Sequence, residues 1–477
     1  MNLITTFWKQ SFVYGIGSLI VRSLSFILLP LYTNYLNQQE VGHIFLLFAF
    51  IAFMQIFYNH GLDSAFLKYY GNNAEKDIVG NTIISALYVT SILVSLLIIF
   101  ISYLLHNIYI NAIYTNWLYY CSIILFFDSI SNRILTLTRI QNRSIFYLVV
   151  NIVNVVSTLL LSYIFVVNYQ LGVSGVLLGT LLGSLLRWLL LLPTSISTII
   201  NGSFSFSVYK KCLQFGFPFL PAAIFYIIME MSDRYFILLF LNSSEVGLYS
   251  IGYKIGSIGM LIITAFNLGW QPFYNREGNS SDARRIFAQI GSYFMYFIIA
   301  TSMMIIIWAP IIMRIEIANS PIIGQEFWSA YKIVPTIVLS YIFYAFYIIS
   351  MPSMYIYDKQ KWSPIFRFSG AFSNIMLNII FIPTLGIMGA AISTALSYFF
   401  MTIFIYYKSN QWMPINYQWS LIIKQGLVTL FFSLIVLNIN LSLIDAFIVS
   451  TFYYIILFFI GFKSIIIKIF RQIFVYG

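Results

Sequence analysis

Long apolar runs, separated by short polar connections, are the feature of this sequence that most limits its possible folds. Each run is close to the ~20 residues that a helix needs to cross the hydrocarbon core of a bilayer. A helix satisfies its backbone hydrogen bonds internally, as the membrane interior requires, whereas a transmembrane barrel would alternate in segments of about ten residues. We therefore predict an all-α, polytopic membrane protein with about 14 transmembrane helices. The predicted helices lie at 11–35, 43–67, 80–104, 117–138, 145–167, 172–194, 213–241, 246–273, 286–309, 328–350, 363–382, 386–407, 419–438 and 443–462.

The amino-acid composition excludes a soluble protein. Hydrophobic residues make up 60% of the 477 residues and charged residues only 8%, against about 25% charged in a typical soluble domain. The connections are too short for an extramembrane catalytic domain. The net charge is +11. The basic residues are distributed according to the membrane topology described next, so the charge does not indicate nucleic-acid binding.

Lysine and arginine are confined almost entirely to alternate connections between the predicted helices. One set of connections contains basic residues throughout, from Lys9 to Arg471. The other set contains Arg314 and acids such as Glu40 and Glu245. Because basic connections stay in the cytoplasm, we predict a multi-pass membrane protein with an even number of spans and both termini in the cytoplasm.

Two short motifs recur with nearly the same offset. LNQQEVG at 36–42 returns as LNSSEVG at 241–247, and LGVSG at 171–175 returns as LGIMG at 385–389. Both offsets equal six predicted helices, an even number, so the two copies have the same orientation. We predict two parallel six-helix lobes, 1–205 and 206–410, followed by helices 13 and 14 with a short basic tail at 411–477. Parallel repeats of this kind are a transporter architecture with the site between the lobes.

Charged residues inside the predicted helices are the main candidates for a functional site. A charge at the bilayer centre costs about 2.5–3.5 kcal/mol on insertion scales, so such residues usually face a cavity or each other. Three basic residues are predicted to line a cationic, substrate-binding cavity: Arg22, Arg234 and Lys254. Such a cavity favours an anion, and guanidinium groups suit phosphate in particular. Three acids are candidates for holding a coupling ion, H⁺ or Na⁺, or for lining the cavity: Asp128, Glu230 and Asp233.

Uncharged polar residues follow the same helix faces at spacings of three and four. The predicted cavity residues of this kind are Ser18, Ser25, Gln55, Asn59, Ser250 and Ser257. Structural roles are the alternative for several charges. Glu230 and Arg234 are spaced to neutralise each other, and Asp128 could pair with Arg133 or with a neighbouring helix. Arg187 is expected to extend to the cytoplasmic interface. The three histidines have no metal-ligand spacing, so no metal site and no cofactor are predicted.

Several stretches of the chain resemble a known family. The segment 11–42, SFVYGIGSLIVRSLSFILLPLYTNYLNQQEVG, is similar to the opening helix of bacterial polysaccharide repeat-unit flippases of the Wzx type. The segment 214–257 resembles their seventh and eighth helices, and FNLGWQPFY (266–274) and IPTLGIMGAAISTALSY (382–398) are also similar. The likeness covers roughly residues 8–440, and its strength lies in the order and spacing of these stretches.

The resemblance implies a fold, a substrate and a mechanism. The fold is that of the multidrug/oligosaccharidyl-lipid/polysaccharide (MOP) exporters, related to the MATE transporters, with two six-helix lobes in a V plus two helices. The implied substrate is an undecaprenyl-pyrophosphate-linked oligosaccharide, flipped from the inner to the outer leaflet by alternating access for O-antigen (lipopolysaccharide), capsule or exopolysaccharide synthesis. The lipid tail would lie in a groove that helices 13 and 14 help to form. A polymerase or chain-length regulator of the same pathway is an expected partner.

Other functions are left open by the residues. A MATE-type drug/cation antiporter would favour an anionic cavity and about twelve helices. A lipid II flippase shares the pyrophosphate-lipid head of the substrate, and sequence separates it poorly. A membrane-embedded polysaccharide polymerase would need a sizeable outer loop, and the longest outer connection is only about 310–327. Without such a loop, an Asp-x-Asp pair or a glycine-rich phosphate loop, we predict that the chain is not an enzyme. An anion leaving a negative cell interior moves downhill by about 2.3 kcal/mol per charge per 100 mV, so a coupling ion is not required by energetics.

Overall fold

The computed structural model describes residues 26–70, 76–106, 112–317, 319–439 and 441–462. Nearly all of this part of the chain is helical. Within it, 12 helices are long and apolar enough to cross a membrane, or 13 if one bent pair counts as a single span. The prediction of an all-α, polytopic membrane protein is confirmed. Of the first predicted helix, at 11–35, the part up to residue 25 lies outside the described residues.

The chain divides into two compact units, Met1–Met231 and Ser232–Gly477. The first unit has short 3₁₀ and π segments at Phe217–Phe219 and Ile164–Asn168. Its described α-helices are α1 Leu29–Tyr35, α2 Gln38–Asn59, α3 Leu62–Tyr70, α4 Lys76–His106, α5 Ala112–Ile140, α6 Ser144–Tyr163, α7 Gly172–Ile200, α8 Phe206–Gly216 and the first half of α9 Leu220–Phe240.

The second unit contains the rest of α9 and a hairpin of two two-residue strands, β1 Glu316–Ile317 and β2 Ser320–Pro321, paired antiparallel. Further 3₁₀ and π segments lie at Gln325–Ile333, Gln360–Trp362 and Phe458–Phe462. Its other helices are α10 Ser243–Gly256, α11 Ile258–Glu277, α12 Ala283–Arg314, α13 Val334–Ile349, α14 Pro352–Ile356, α15 Ser363–Leu385, α16 Ile387–Trp412, α17 Trp419–Asn438 and α18 Leu443–Leu457. The eighth predicted helix is thus two helices, α10 and α11, bent by 43° at their junction.

The repeated motifs mark helix starts. In LNQQEVG, the Asn37 side chain accepts a hydrogen bond from the backbone N–H of Glu40 (2.9 Å), and the Glu40 carboxylate accepts one from the N–H of Asn37 (3.1 Å). In LNSSEVG, Asn242 caps α10 in the same way, accepting from the N–H of Glu245 (2.9 Å). These caps satisfy backbone donors that the first helical turn leaves without partners. The motif therefore recurs because two helices need the same cap.

A stripe of glycines lets α7 approach α6 closely. Gly175, Gly179 and Gly183 lie four residues apart and so share one face of α7. A Cβ on Gly179 would lie 2.4 Å from the Ser162 hydroxyl oxygen, and one on Gly183 would lie 2.1 Å from that of Thr158. Small residues at this spacing bring helix backbones together in membranes, where packing replaces the hydrophobic effect.

We expect Gly179→Leu to destabilise the first unit by more than the 1–3 kcal/mol typical of overpacking, about 3 kcal/mol or more, because the backbone of α6 blocks the new side chain. Gly269→Leu is the matched control, since a Cβ on Gly269 meets no atom within 4 Å. The measurement is the thermal midpoint of the detergent-solubilised protein, followed by gel filtration. Equal midpoints for the two variants would contradict the close packing of α6 and α7.

Candidate functional site

Asp233 is the centre of a buried polar cluster in the second unit. Its side chain is 0% exposed. One carboxylate oxygen, Oδ1, accepts hydrogen bonds from the amides of Asn374 (3.1 Å) and Asn378 (2.8 Å). The other, Oδ2, accepts from the hydroxyls of Tyr249 (2.6 Å) and Thr394 (2.6 Å). Four donors thus surround one carboxylate, and every donor is a neutral group.

Four helices bring these donors to one point. Asp233 lies on α9, Tyr249 on α10, and Thr394 on α16. Asn374 and Asn378 are four residues apart on α15, so both amides project from the same face. Helices α15 and α16 pack closely along their lengths. The cluster therefore depends on the tertiary packing of this unit.

A second layer of contacts orients the amides. The Ser232 hydroxyl donates to Asn374 Oδ1 (2.7 Å), and the Asn378 amide lies 3.0 Å from the same oxygen. The Thr394 hydroxyl oxygen lies 3.1 Å from the backbone oxygen of Ala390. Asn378 Oδ1 is buried and has no hydrogen-bond partner. The NH₂ group of Asn378, and not this oxygen, is the part of the side chain that faces the Asp233 carboxylate.

This donor set has the chemistry of a site for a proton or a small hard cation. Burying a carboxylate is costly unless it is hydrogen-bonded or neutralised, and a cation bound here would neutralise it. Carboxylate, amide and hydroxyl oxygens suit hard cations and not soft metals. Among the described residues, no three His, Cys, Asp or Glu side chains are grouped as a metal site.

Three other predicted residues of the second unit lie on or next to α9 and α10: Arg234, Lys254 and Ser257. Arg234 is buried, with its guanidinium carbon 4.8 Å from the centre of the Tyr253 ring. Lys254 is partly buried in the last turn of α10. Ser257 donates to the Lys254 carbonyl oxygen (2.7 Å).

Ser250 and Glu230 are also among the described residues. Ser250 is buried, and its hydroxyl has no hydrogen-bond partner. Glu230 is buried on α9, in the part assigned to the first unit. Three predicted residues lie outside the described part of the chain: Ser18, Arg22 and Ser25.

Two ion pairs occupy the first unit. Asp128 on α5 accepts a hydrogen bond from Arg187 on α7 (2.7 Å), and Asp63 pairs with Arg133. The expectation that Arg187 extends to the interface is wrong, because its side chain is only 8% exposed and its charge is held by Asp128. Gln55 Nε2 and Asn59 Oδ1 on α2 are buried without hydrogen-bond partners.

Sequence reasoning missed four residues of the Asp233 cluster: Tyr249, Asn374, Asn378 and Thr394. Tyrosine and threonine are common in membrane helices and carry no signal by themselves. The two asparagines did carry one, since they lie four residues apart within the apolar run SNIMLNIIF. Amides at helical spacing in such a run indicate a polar contact inside the protein.

An apolar groove of about 500 Å³ lies in the second unit between α12, α13 and α17. Its walls are almost entirely aliphatic and aromatic, and one side is formed by α17, the predicted helix 13. Representative lining residues are Met295, Ile299, Val338, Phe343, Leu427 and Leu430. A groove of this chemistry suits a hydrocarbon chain.

Comparison with solved structures identifies the fold class of this protein. Lipid II flippase MurJ, in an inward closed conformation, superposes with a TM-score of 0.70 over 95% of this chain and 100% of its own, at 16% identity. A MATE family multidrug resistance transporter of the MOP superfamily, in an inward-facing conformation, gives 0.61 over 82% of this chain and 94% of its own, at 14% identity. The chain therefore has the fold of MOP-superfamily membrane proteins.

Comparison of amino-acid sequences identifies the protein family. Residues 7–273, more than half of the chain, match the model of the family described as polysaccharide biosynthesis protein, and the chain belongs to this family. An uncharacterized membrane protein of Methanocaldococcus jannaschii is 23% identical over 93% of both chains. One of Haemophilus influenzae is 22% identical over 56% of this chain and 64% of its own. The predicted family is confirmed, and these structural neighbours are transport proteins and not enzymes, in agreement with the prediction.

Proposed function

We propose that this protein is a flippase for undecaprenyl-pyrophosphate-linked oligosaccharide repeat units, used in the synthesis of O-antigen, capsule or exopolysaccharide. It carries them from the inner to the outer leaflet of the bacterial cytoplasmic membrane, with both termini in the cytoplasm. The lobes 1–205 and 206–410 alternate access to the substrate, and 411–477 supports the lipid tail. The observation that carries this proposal is the apolar groove along α17, in a chain of the polysaccharide biosynthesis family.

The groove supports a lipid-linked substrate over a soluble one. Each buried CH₂ group of a lipid chain contributes about 0.8 kcal/mol, so a polyprenyl chain in the groove would be held strongly. A water-soluble drug gains little from such a surface. Helix α17 is also one of the two predicted helices beyond the twelve of a two-lobe transporter, so the proposal gives it a function.

The pyrophosphate head is assigned to the predicted cationic residues Arg22, Arg234 and Lys254. Arg234 and Lys254 lie on α9 and α10, which also contribute Asp233 and Tyr249 to the buried cluster. Arginine is suited to phosphate because its planar group donates two parallel hydrogen bonds. The pyrophosphate head of the substrate and the coupling ion would then both bind to α9 and α10. A movement of these two helices would couple the two binding events.

The Asp233 cluster is the proposed site of the coupling ion, H⁺ or Na⁺. A proton would reside on the Asp233 carboxylate. A sodium ion would take oxygens from Asp233, Asn374, Asn378 and Thr394, which requires the amides to turn their oxygens inward. Either ion removes the buried negative charge, so ion entry and release alter the hydrogen bonds that connect α9, α10, α15 and α16.

The function is tested by locating lipid-linked oligosaccharide after deletion of the gene. We expect undecaprenyl-pyrophosphate repeat units to accumulate in the cytoplasmic leaflet, inaccessible to an external glycan-binding probe. Single units that reach the outer leaflet but never lengthen would contradict the proposal and favour a role in polymerisation.

Lipid II transport is the second candidate, favoured by the similarity to a structure whose title names a lipid II flippase. The two substrates share the polyprenyl-pyrophosphate part and differ in the attached sugars. In the same deletion strain, lipid II held in the cytoplasmic leaflet with normal export of the repeat unit would select this candidate.

Filling the groove should impair transport without unfolding the protein. Gly426 lines the groove, and a Cβ at this position meets no atom within 4 Å. We expect Gly426→Phe to reduce flipping of a full-length polyprenyl substrate about tenfold, the equivalent of about 1.4 kcal/mol, because the ring occupies the space of the lipid chain. A substrate with a short polyprenyl chain serves as the control and should be affected less. Equal loss for both chain lengths would exclude the groove as the tail site.

A further inference from the structure

A basic pocket of about 430 Å³ lies where α12 begins, in the second unit. Arg284, Arg285 and Gln289 line it from α12. Pro414, Asn416 and Gln418 line it from the segment that joins α16 to α17. The pocket is separate from the Asp233 cluster, and no step of the proposed mechanism uses it.

The segment 413–418 forms a fixed wall of this pocket. Met413, Ile415 and Tyr417 are buried, while the residues between them face the pocket, as expected for an extended chain with alternating sides. The Tyr417 hydroxyl donates to the Ile349 carbonyl oxygen (2.9 Å). The backbone N–H of Gln418 donates to the Ser292 hydroxyl (3.0 Å). The amides of Asn416 and Gln418 are therefore presented from an anchored backbone.

Neither arginine of the pocket forms an ion pair in the described part of the chain. Arg284 and Arg285 are exposed, and no ion pair described for this part of the chain includes either of them. Both lie in the first turn of α12, where the positive end of the helix dipole disfavours cations. Asp282, the residue before α12, makes no side-chain capping bond there. An anion between the guanidinium groups would relieve this repulsion and accept paired hydrogen bonds.

The basic pocket lies at the end of the apolar groove. On α12, Ala288 of the pocket is followed seven and eleven residues later by Met295 and Ile299 of the groove, about two and three helical turns, which keeps all three near one face. On the other wall, Gln418 lines the pocket, and the next residue, Trp419, lines the groove. A single molecule with an anionic head and a long apolar chain would match both surfaces.

We propose that Arg284 and Arg285 form a loading site for the phosphate group of a polyprenyl-pyrophosphate lipid, whose chain enters the groove. The basic connections predict that this end of α12 faces the cytoplasm, so the lipid is taken from the inner leaflet. The inference rests on the proposed function and adds to it a first binding step outside the predicted Arg22, Arg234 and Lys254 cavity. On α17 the groove lining runs from Trp419 to Leu437, about 27 Å of helix at 1.5 Å per residue, which suits a long hydrocarbon chain.

The test measures binding of undecaprenyl pyrophosphate to the full-length protein in phosphatidylcholine nanodiscs. We expect Arg284→Gln/Arg285→Gln to weaken binding about tenfold or more, since two charge-assisted hydrogen-bonding groups are lost. Arg276→Gln is the matched control: Arg276 is a 75% exposed arginine of α11 that pairs with Glu277 and does not line the pocket. Glutamine is shorter than arginine but remains polar, and all three arginines are exposed, so thermal midpoints should match that of the wild type.

Competition identifies the ligand. Undecaprenyl pyrophosphate displaced only by other polyprenyl phosphates supports the proposal. Displacement at equal concentration by phosphatidylglycerol would overturn it in favour of a general contact with anionic lipid. Displacement by inorganic pyrophosphate alone would overturn it in favour of a soluble anion.

A flipping assay separates this inference from the function on which it rests. If wild-type protein flips the substrate and the double glutamine variant binds and flips it equally well, the loading site is wrong and the flippase stands. If wild-type protein neither binds nor flips the lipid, the flippase proposal itself fails.

Discussion

Asp233→Asn is expected to reduce ion-driven transport about a hundredfold while the protein still reaches the membrane. The substitution keeps the size of the side chain and removes its charge. Asparagine cannot accept a proton at this position, and its NH₂ group would face the hydroxyl and amide donors that now bond to Oδ1 and Oδ2. Loss of a buried charge with several hydrogen bonds corresponds to about 3 kcal/mol or more, which gives the hundredfold change. Flipping in proteoliposomes, with a Na⁺ or H⁺ gradient imposed at fixed membrane potential, measures the effect.

The matched control moves the carboxylate within the same cluster. Asn378 Nδ2 lies 2.8 Å from Asp233 Oδ1, so Asp233→Asn/Asn378→Asp keeps one acid and two amides among the same neighbours. We expect this double variant to recover part of the ion dependence, whereas Asn378→Asp alone adds a second buried acid and should shift the pH range of transport. Undiminished gradient-driven transport by Asp233→Asn would remove this carboxylate from coupling and leave the membrane potential as the driving force.

The sequence predicted the acid of this cluster and none of its partners, for a physical reason. An isolated aspartate in an apolar helix is costly, so Asp233 stands out by composition alone. Its partners are neutral residues that cost little in a helix, and they lie 141 to 161 residues away along the chain for Asn374, Asn378 and Thr394. Only the packing of α15 and α16 against α9 brings them to Asp233.

The difference between local contacts and contacts between distant parts of the chain also explains which other predictions succeeded. Helix caps are local, so the LNxxEVG motif could be interpreted as a turn before a helix, and Asn37 and Asn242 do cap helices. Ion pairs between helices are not local. The partner of Arg187 is Asp128, 59 residues away, and a position near a helix end gave no sign of it. The substrate-binding roles of Arg22, Arg234 and Lys254 stay predictions, because they concern the binding of a ligand.

Asp128 in the first unit and Asp233 in the second unit have different kinds of partner. In the first unit, Arg133 and Arg187 are each held by an aspartate, so their formal charges cancel in pairs. In the second unit, the hydrogen bonds described for Asp233 all come from neutral groups. An ion pair stabilises a structure or holds it in one state, whereas a carboxylate whose described hydrogen bonds come from neutral groups can exchange a proton or a cation. This contrast is our reason for assigning coupling to Asp233 over Asp128.

If the Asp128–Arg187 pair is structural, Asp128→Ala should destabilise the protein by about 3–5 kcal/mol, because it leaves a buried guanidinium without its counter-charge. Arg187 is 8% exposed at the side chain and Asp128 23%, so water can solvate the arginine only poorly. The double variant Asp128→Ala/Arg187→Met removes both charges and should recover most of the loss, since an apolar pair is often as stable as a buried ion pair. Chemical or thermal unfolding in detergent, monitored by tryptophan fluorescence, measures all three proteins.

The exposed pair Arg276–Glu277 supplies the control for this cycle. Its side chains are 75% and 33% exposed, and Glu277→Ala should change stability by only about 0–1 kcal/mol. Transport provides the second readout, because a purely structural pair predicts that the double variant flips substrate at a near-normal rate. A stable double variant that has lost its dependence on the ion gradient would instead place Asp128 in the coupling path, and the assignment to Asp233 alone would then be wrong.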